Sequence, residues 1–337
     1  MKTMKILIAD PSPVYRKMFT RAATEFCKGA SIIGVFDGSE ALALIRCGKY
    51  DIIVIDAEVS GLIDILEGIM LKSPNAFILV TARPSMANAA HFSEALSNGA
   101  SECMAKPIYD SYNDNLVIIK QKISDIVEIF KHGKSISDEK EEPVVHGQEN
   151  KFSPDLVLVA ASTGGPIALE SILPKLPVDF PAPIVVVQHI PPLFAETLAS
   201  RLDDLSRLKV KVAEIGETIE PGKVYMAPGG IHTMLSNKSK IYFDTNISPN
   251  GVRPSADFLF QSVAESFMGK KVLVVVLTGM GNDGKDGLAV LRTHKSCKCI
   301  AQSERTCVVY GMPRAVIEAG FADKVLDLEM IASEMES

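Results

Sequence analysis

Three polar residues in the C-terminal half, Ser162, His189 and Asp283, are of the types a hydrolytic site needs. A serine hydroxyl becomes a nucleophile once a base takes its proton. An imidazole titrates near neutrality and can be that base. A carboxylate can hold the imidazole in one tautomer and stabilise its charged form. Each of the three stands just past a short apolar run. Residues 156–161 end at Ser162, residues 184–188 end at His189, and residues 272–277 lead through Thr278-Gly279-Met280-Gly281-Asn282 to Asp283. Runs of this kind, separated by helix-like stretches, read as parallel strands buried on both faces. Parallel strands bring their C-terminal ends to one edge of the sheet, where open α/β folds build their sites.

The surroundings of these residues sharpen the chemistry and also supply rival readings. Ser162-Thr163-Gly164-Gly165-Pro166 reads as a strand-to-helix turn, with glycines for a tight path and a proline suited to the first helical turn. A serine there projects its hydroxyl at a helix N-terminus, whose free N–H groups favour an oxyanion. The string is a loose match to a nucleophile elbow, and a capping serine explains it equally well. A lone histidine at a strand end is commonly structural. Gly279, Gly281 and Gly284 also fit G-x-G-x-x-G, a dinucleotide fingerprint, and nearly fit a phosphate loop. Against both, Asp283 and Asp286 would face a bound phosphate, and Asp286 stands where the phosphate loop needs Ser or Thr.

A second set lies in the first 130 residues. Asp10, Asp56, Thr81 and Lys106 each follow an apolar run and converge at one edge of a doubly wound sheet. Two adjacent carboxylates, Asp10 and Asp56, can hold Mg²⁺ through oxygen ligands, and one can accept a phosphoryl group. A hydroxyl and an ammonium beside them suit the added phosphoryl oxygens. Singly, each reads as a turn or capping residue.

The elements that must position these groups follow a strand–turn–helix rhythm. Strands are expected at residues 5–9, 31–36, 51–55, 76–80 and 103–105. A last amphipathic helix carries Leu116, Ile119, Ile123, Ile126, Val127 and Phe130. Residues 131–152 are charged and poor in apolar side chains, and read as a flexible linker. From residue 153 a second α/β unit begins. An antiparallel insert is expected around residues 224–243, with Pro228-Gly229-Gly230 as its turn. The expected architecture is therefore α/β, with two doubly wound parallel-sheet domains at 1–130 and 153–337.

Bulk properties narrow the function. The chain has 337 residues, 47% hydrophobic and 23% charged, enough for two cores. Its net charge of −6 argues against nucleic acid and anionic membranes as partners. No apolar run reaches the ~18–20 residues of a membrane span, and Asp10 comes too early for a signal peptide, so a cytoplasmic protein with reduced thiols is expected. His294, Cys297, Cys299 and Cys307 could be imagined around zinc. The Cys-x-Cys spacing is poor for that, and Cys297, Cys299 and Ala301 alternate like one face of a strand.

Residues 4–125 resemble the receiver domains of two-component signalling, through Asp10, Asp56, Thr81 and Lys106-Pro107. The resemblance implies a flavodoxin-like fold, Asp56 as phospho-acceptor, Thr81 as switch hydroxyl and Mg²⁺ as cofactor of phosphorylation. Three positions differ from the family pattern. Asp10-Pro11 replaces a pair of acids, the loop Ala57-Glu58-Val59-Ser60-Gly61 lacks a usual proline, and Cys103 stands where an aromatic residue is usual.

Residues 155–328 resemble the catalytic domain of the chemotaxis protein-glutamate methylesterases. The matching blocks are Ala161-Ser162-Thr163-Gly164-Gly165, Gln188-His189-Ile190-Pro191-Pro192, Ala227-Pro228-Gly229, Arg253-Pro254-Ser255-Ala256-Asp257, residues 277–284 and residues 308–313. The resemblance implies Ser162 as nucleophile, His189 as base, Asp283 as its partner, and an oxyanion hole from backbone N–H groups near Thr163 and Met280. It implies hydrolysis of glutamate methyl esters and deamidation of glutamines on methyl-accepting chemoreceptors, with no cofactor for the ester step. It also implies a chemotaxis histidine kinase as phosphodonor and control through Asp56. Two alternatives remain beside it: the same esterase with a receiver that is not phosphorylated, and a nucleotide-binding adaptor using Gly279–Gly284.

Overall fold

The computed structural model describes residues 3–132, 152–246, 248, 251–267, 269–293 and 296–337. The chain divides into two compact units, one up to Ser137 and one from Asp138 onward. Most of the expected linker, and His294 of the imagined zinc set, lie outside the described residues.

The first unit alternates strand and helix without exception. β1 (Lys5–Ala9), β2 (Ser31–Val35), β3 (Ile52–Asp56), β4 (Phe77–Ala82) and β5 (Glu102–Ala105) are separated by α1 (Pro13–Phe26), α2 (Gly38–Cys47), α3 (Leu62–Lys72) and α4 (Met86–Ser97), and α5 (Tyr112–His132) closes the unit. The strands pair in parallel in the order β2-β1-β3-β4-β5. That is the flavodoxin-like order, whose switch point lies between β1 and β3. The central strands β3 and β4 are buried throughout, as apolar runs covered by helices on both faces must be. The expected strand at residues 51–55 is shifted by one, so Asp56 is the last residue of β3 and not the residue after it, and Thr81 lies inside β4. The ladder reaches that far because Asp56 and Thr81 are themselves a paired position.

The second unit holds a seven-stranded parallel sheet. Its strands are β6 (Leu156–Ala161), β7 (Ile184–Gln188), β8 (Lys209–Val212), β9 (Lys223–Met226), β12 (Val272–Val276), β13 (Cys297–Gln302) and β14 (Lys324–Leu326), in the order β14-β13-β12-β6-β7-β9-β8. A separate antiparallel pair, β10 (His232–Leu235) and β11 (Ile241–Asp244), lies off the main sheet. The helices are α6 (Gly165–Ile172), α7 (Ala195–Leu205), α8 (Ala256–Ser266), α9 (Lys285–Leu291), α10 (Met312–Glu318) and α11 (Leu328–Met335).

Alternate residues of β6 feed two separate cores. Leu156, Leu158 and Ala160 pack with α8 and α9 residues such as Phe260 and Leu288, while Val157, Val159 and Ala161 pack with α6 and α7 residues such as Leu169 and Leu202. A period-2 strand covered on both sides has no polar face to spare, which is why these runs are continuously apolar. Cys297 and Cys299 point into the first of these cores together with Ala301.

The expected antiparallel insert at 224–243 is only half correct. Its first part, β9, is a parallel strand of the main sheet, paired with β7 and β8. Antiparallel pairing starts at His232, after the Pro228-Gly229-Gly230 turn. A four-residue strand carries too little pattern to announce its partner's direction.

Candidate active site

The chain leaves β6 to build β7, β8 and β9 on one side, then returns to build β12, β13 and β14 on the other. The switch point therefore lies between β6 and β12, and the crevice beyond their C-terminal ends is where such folds place a site. Ser162 sits at that point. Parallel register sets its neighbours: Ala161 pairs with Gln188, so Ser162 and His189 are the next residues of adjoining strands. On the other side the Ser162 N–H donates to the carbonyl of Thr278 at 3.1 Å, while the His189 N–H donates to the carbonyl of Ala161 at 3.0 Å. Both side chains are half-buried, within reach of solvent and substrate.

The turn after Ser162 is built for close packing. Gly164 has φ of 81°, a left-handed conformation that glycine adopts without strain, and caps α6. At Gly165 an added Cβ would lie 1.9 Å from Gln188 Oε1. That closeness matters because Gln188, the last residue of β7, is buried and reaches across the strand ends. Its Nε2 donates to the carbonyl of Ser162 at 2.9 Å and to that of His189 at 3.0 Å. One amide group thus ties together the two backbones that carry the hydroxyl and the imidazole. Sequence reading treated Gln188 as the end of a strand and as part of a matching block, without a role of its own; its position immediately before His189 was a signal that could have found it.

Asp283 is buried, 2% exposed, and its carboxylate is saturated with donors. His189 Nε2 lies 2.7 Å from Oδ2, Ser255 Oγ donates to Oδ1 at 2.6 Å, and the N–H groups of Ala256 and Asp257 donate at 2.7 and 3.2 Å. The last two are free N–H groups of the first turn of α8, so Asp283 caps that helix from outside and sits at its positive dipole end. Burial pushes the Asp283 carboxyl up, but the bonds from His189, Ser255 and Ala256 outweigh it and hold the group down at about 2. The ring nitrogen of His189 not engaged by Asp283 is Nδ1. Among the described residues, Ser162 Oγ makes no hydrogen bond to the ring.

Thr163 is buried, and its carbonyl accepts from Thr278 Oγ1 at 2.9 Å, locking the serine turn to the loop after β12. Met280 lies in that same loop, half-buried, between Gly279 and Gly281. The glycine-rich stretch does open a helix, α9, but Asp283 turns inward to His189 and α8, and α9 has only seven residues. Burial pushes the Cys297 thiol up to about 12 and that of Cys299 well above its usual range, so neither is a ready thiolate ligand for zinc.

The first unit gathers Asp10, Asp56, Thr81 and Lys106 at the β1/β3 switch point. Asp10, Asp56, Thr81 and Lys106 are all buried. Lys106 Nζ lies 2.7 Å from Asp10 Oδ2 and also pairs with Asp56 Oδ2. The other carboxylate oxygens accept N–H bonds from Ser12 and Glu58, each at 2.8 Å. Tyr15 packs its ring 4.7 Å from the Lys106 ammonium and donates to the carbonyl of Pro107 at 2.6 Å. Arg16 donates to the Asp10 carbonyl at 2.7 Å. Burial raises the Asp10 carboxyl above its usual value, although Lys106 pulls the other way. Thr81 Oγ1 points back to the carbonyl of Ile55 at 3.5 Å.

Comparison with known proteins covers the second unit and the chain as a whole. The family model described as CheB methylesterase matches residues 157–335. The chain is similar to a protein-glutamate methylesterase/protein-glutamine glutaminase of Thermotoga maritima, 35% identical and covering 99% of this chain and 98% of that one. It is similarly related to the protein of the same description from Bacillus subtilis, 36% identical over 99% and 98%. The crystal structure of the Thermotoga maritima CheB methylesterase catalytic domain superposes with a TM-score of 0.51 at 46% identity, covering 54% of this chain and 97% of that one. The chain belongs to the CheB methylesterase family.

Proposed function

We propose that this protein hydrolyses γ-glutamyl methyl esters of methyl-accepting chemoreceptors, and deamidates receptor glutamines by the same attack, with Ser162 as nucleophile. The observation that carries the reading is the His189–Asp283 pair standing one register step from Ser162. His189 Nδ1 takes the hydroxyl proton as Oγ attacks the ester carbonyl. The developing oxyanion is met by backbone N–H groups of Thr163 and Met280. Collapse expels methanol, with the proton returned from His189, and leaves an acyl-serine. Water, deprotonated by His189, then releases glutamate. With a glutamine side chain the leaving group is ammonia. Asp283 stays ionised and balances the imidazolium. The step uses no cofactor.

The receiver reading rests on the buried Asp10–Lys106–Asp56 cluster. Asp56 accepts a phosphoryl group from a chemotaxis histidine kinase, and this controls the esterase. Asp10 Oδ2 and Asp56 Oδ2 meet the Lys106 ammonium and have no hydrogen-bond donor besides it, so hard oxygen donors are available for Mg²⁺. Bound there, the ion would neutralise incoming phosphoryl oxygens. Pro11 removes one acid from this set and favours a second reading, a receiver that restrains or docks without phosphorylation. The enzyme acts in the cytoplasm.

Methanol release from methylated receptor membranes tests the esterase. Ser162→Ala should abolish it with the fold intact, and unchanged turnover would remove the mechanism. Acetyl phosphate with Mg²⁺ tests the receiver. Label on Asp56 supports the switch. Absence of label, with activity unaltered by the phosphodonor, supports the second reading.

A further inference from the structure

A peptide group is planar, and in its trans form the N–H points opposite to the C=O. A partner that fixes the carbonyl therefore aims the N–H. The Thr163 N–H shares a peptide with the Ser162 carbonyl, and the Met280 N–H shares one with the Gly279 carbonyl; both peptides are trans. The second lies directly against the nucleophile: a Cβ added at Gly279 would stand 2.9 Å from Ser162 Cβ and 3.1 Å from Ser162 N.

Each of the two carbonyls accepts a pair of hydrogen bonds, which uses both lone pairs of its oxygen. That of Ser162 takes the Gly165 N–H at 2.8 Å and Gln188 Nε2 at 2.9 Å. That of Gly279 takes the Gly311 N–H at 3.0 Å and the Met312 N–H at 2.8 Å. Neither peptide can turn without breaking two bonds. An amide that accepts at its oxygen is also polarised, which strengthens its N–H as a donor.

We propose that Gln188 and Gly311 are positioning residues of the oxyanion hole. Gln188 presets the Thr163 N–H by gripping the Ser162 carbonyl. Gly311 presets the Met280 N–H by letting the backbone of residues 311–312 reach the Gly279 carbonyl. The inference rests on the reading of Ser162 and of these two N–H groups given above, and adds what holds the donors in place before charge develops.

The surroundings of Gln188 fix which way its amide faces. Its two neighbours are carbonyl oxygens, those of Ser162 and His189, so the NH₂ must be turned to them. Its own Oε1 is buried and, among the described residues, meets no hydrogen-bond donor. A buried acceptor left unfilled weakens the fold, so this amide is arranged for what it donates.

Gly311 is required by closeness. An added Cβ would lie 2.8 Å from the Gly279 carbonyl oxygen, 2.9 Å from Gly281 N and 3.1 Å from Met280 Cα, all backbone atoms that cannot rotate aside. Its φ of −103° is open to any residue, so backbone conformation does not demand a glycine. The same segment grips the preceding turn: the Gly279 N–H donates to the Val309 carbonyl at 3.0 Å, and Thr278 Oγ1 accepts the Val309 N–H at 2.9 Å.

The test is methanol release by the full-length protein carrying Gln188→Met or Gly311→Ala. Methionine keeps the length of the side chain, removes both donors and removes the unfilled acceptor, so that variant should fold; circular dichroism and urea unfolding check both. Each variant should lower kcat by about 10²-fold, as a displaced or lost oxyanion donor does, with KM within about threefold of wild type. The acid limb of the pH profile, which reports the base, should stay where it is in wild type, because neither substitution touches the His189 ring or Asp283. A loss confined to kcat, with the base unmoved, is not what general destabilisation produces. The two variants act through different peptides, so one decides the matter if the other does not fold.

The inference is overturned if a folded variant keeps kcat within about threefold of wild type. It is also overturned if the loss falls on KM, or if the acid limb moves, since the defect then lies in substrate binding or at His189. Failure of the hydrolytic reading itself is separate, and Ser162→Ala reports it.

Discussion

Replacing Gly165 by alanine should damage the site without touching any reacting group. The added Cβ would stand 1.9 Å from Gln188 Oε1, 2.9 Å from Gln188 Cδ and 2.8 Å from Ala161 Cβ. Side-chain atoms do not approach that closely, so the Gln188 amide must retreat by about 1 Å or more. It cannot swing away freely, because it is buried and its Nε2 is bonded to two carbonyls at 2.9 and 3.0 Å. A shift of that size takes both bonds beyond hydrogen-bonding distance. A buried acceptor left unpaired costs about 1–3 kcal/mol, and overpacking adds a similar amount. The helix propensity of alanine returns only about 0.5–1 kcal/mol. The net effect is destabilisation of the second unit by about 2–4 kcal/mol. The Ser162 and His189 backbones also lose their common tie, and misplacement by about 1 Å costs roughly 10²-fold in turnover. Urea unfolding and methanol release measure the two effects. In a Gln188→Ala background, where the space is open, the same substitution should cost much less, and the difference is the coupling between the two sites. Wild-type stability and full turnover in Gly165→Ala would refute the reasoning.

On the proposed mechanism, Asp283→Asn should lower turnover by about 10⁴-fold, as loss of the orienting charge does in chymotrypsin-like proteases, with Ser162 still present. The same variant tests a linkage. The Asp283 carboxyl is depressed in the fold, so its contribution to stability is complete above the ordinary carboxylate range and is lost as pH falls through about 2; acid unfolding of Asp283→Asn should lack that component. Lys106→Met removes the cation between two buried carboxylates and should destabilise the first unit by about 3–5 kcal/mol at pH 7. The loss should shrink toward acid pH, where the carboxyls left behind take up protons; a pH-independent loss in chemical denaturation would contradict that account. Phe260→Ala empties a fully buried site between β6, α8 and α9 and should cost about 3–5 kcal/mol without changing the pH profile of the remaining activity.

The strand-and-helix rhythm was legible along the chain because it is local. Apolar runs of five or six residues bounded by turn residues fit strands covered on both faces, and the helical repeat in α5 recurs from Leu116 to Phe130, about four turns. The chemical types at the strand ends were equally plain. The edges of the reading failed where pattern is short: β3 gained Asp56, and β9 turned out parallel. Gln188, Ser255 and Asp257 were read as a strand end and as parts of a matching block, since a buried amide, hydroxyl or second carboxyl carries no local mark of the partner it will meet.

By itself the sequence determined that two α/β layers would form and that a hydroxyl, an imidazole and carboxylates would end their strands. Tertiary structure alone decided the register that sets Ser162 beside His189, the ring nitrogen that Asp283 takes, and the capture of Asp283 by the first turn of α8. The physical reason is range. Burial and helical periodicity are fixed by neighbours within a few residues. The donors on Asp283 arrive from residues as many as 94 positions away, and only the packed sheet brings them to one carboxylate.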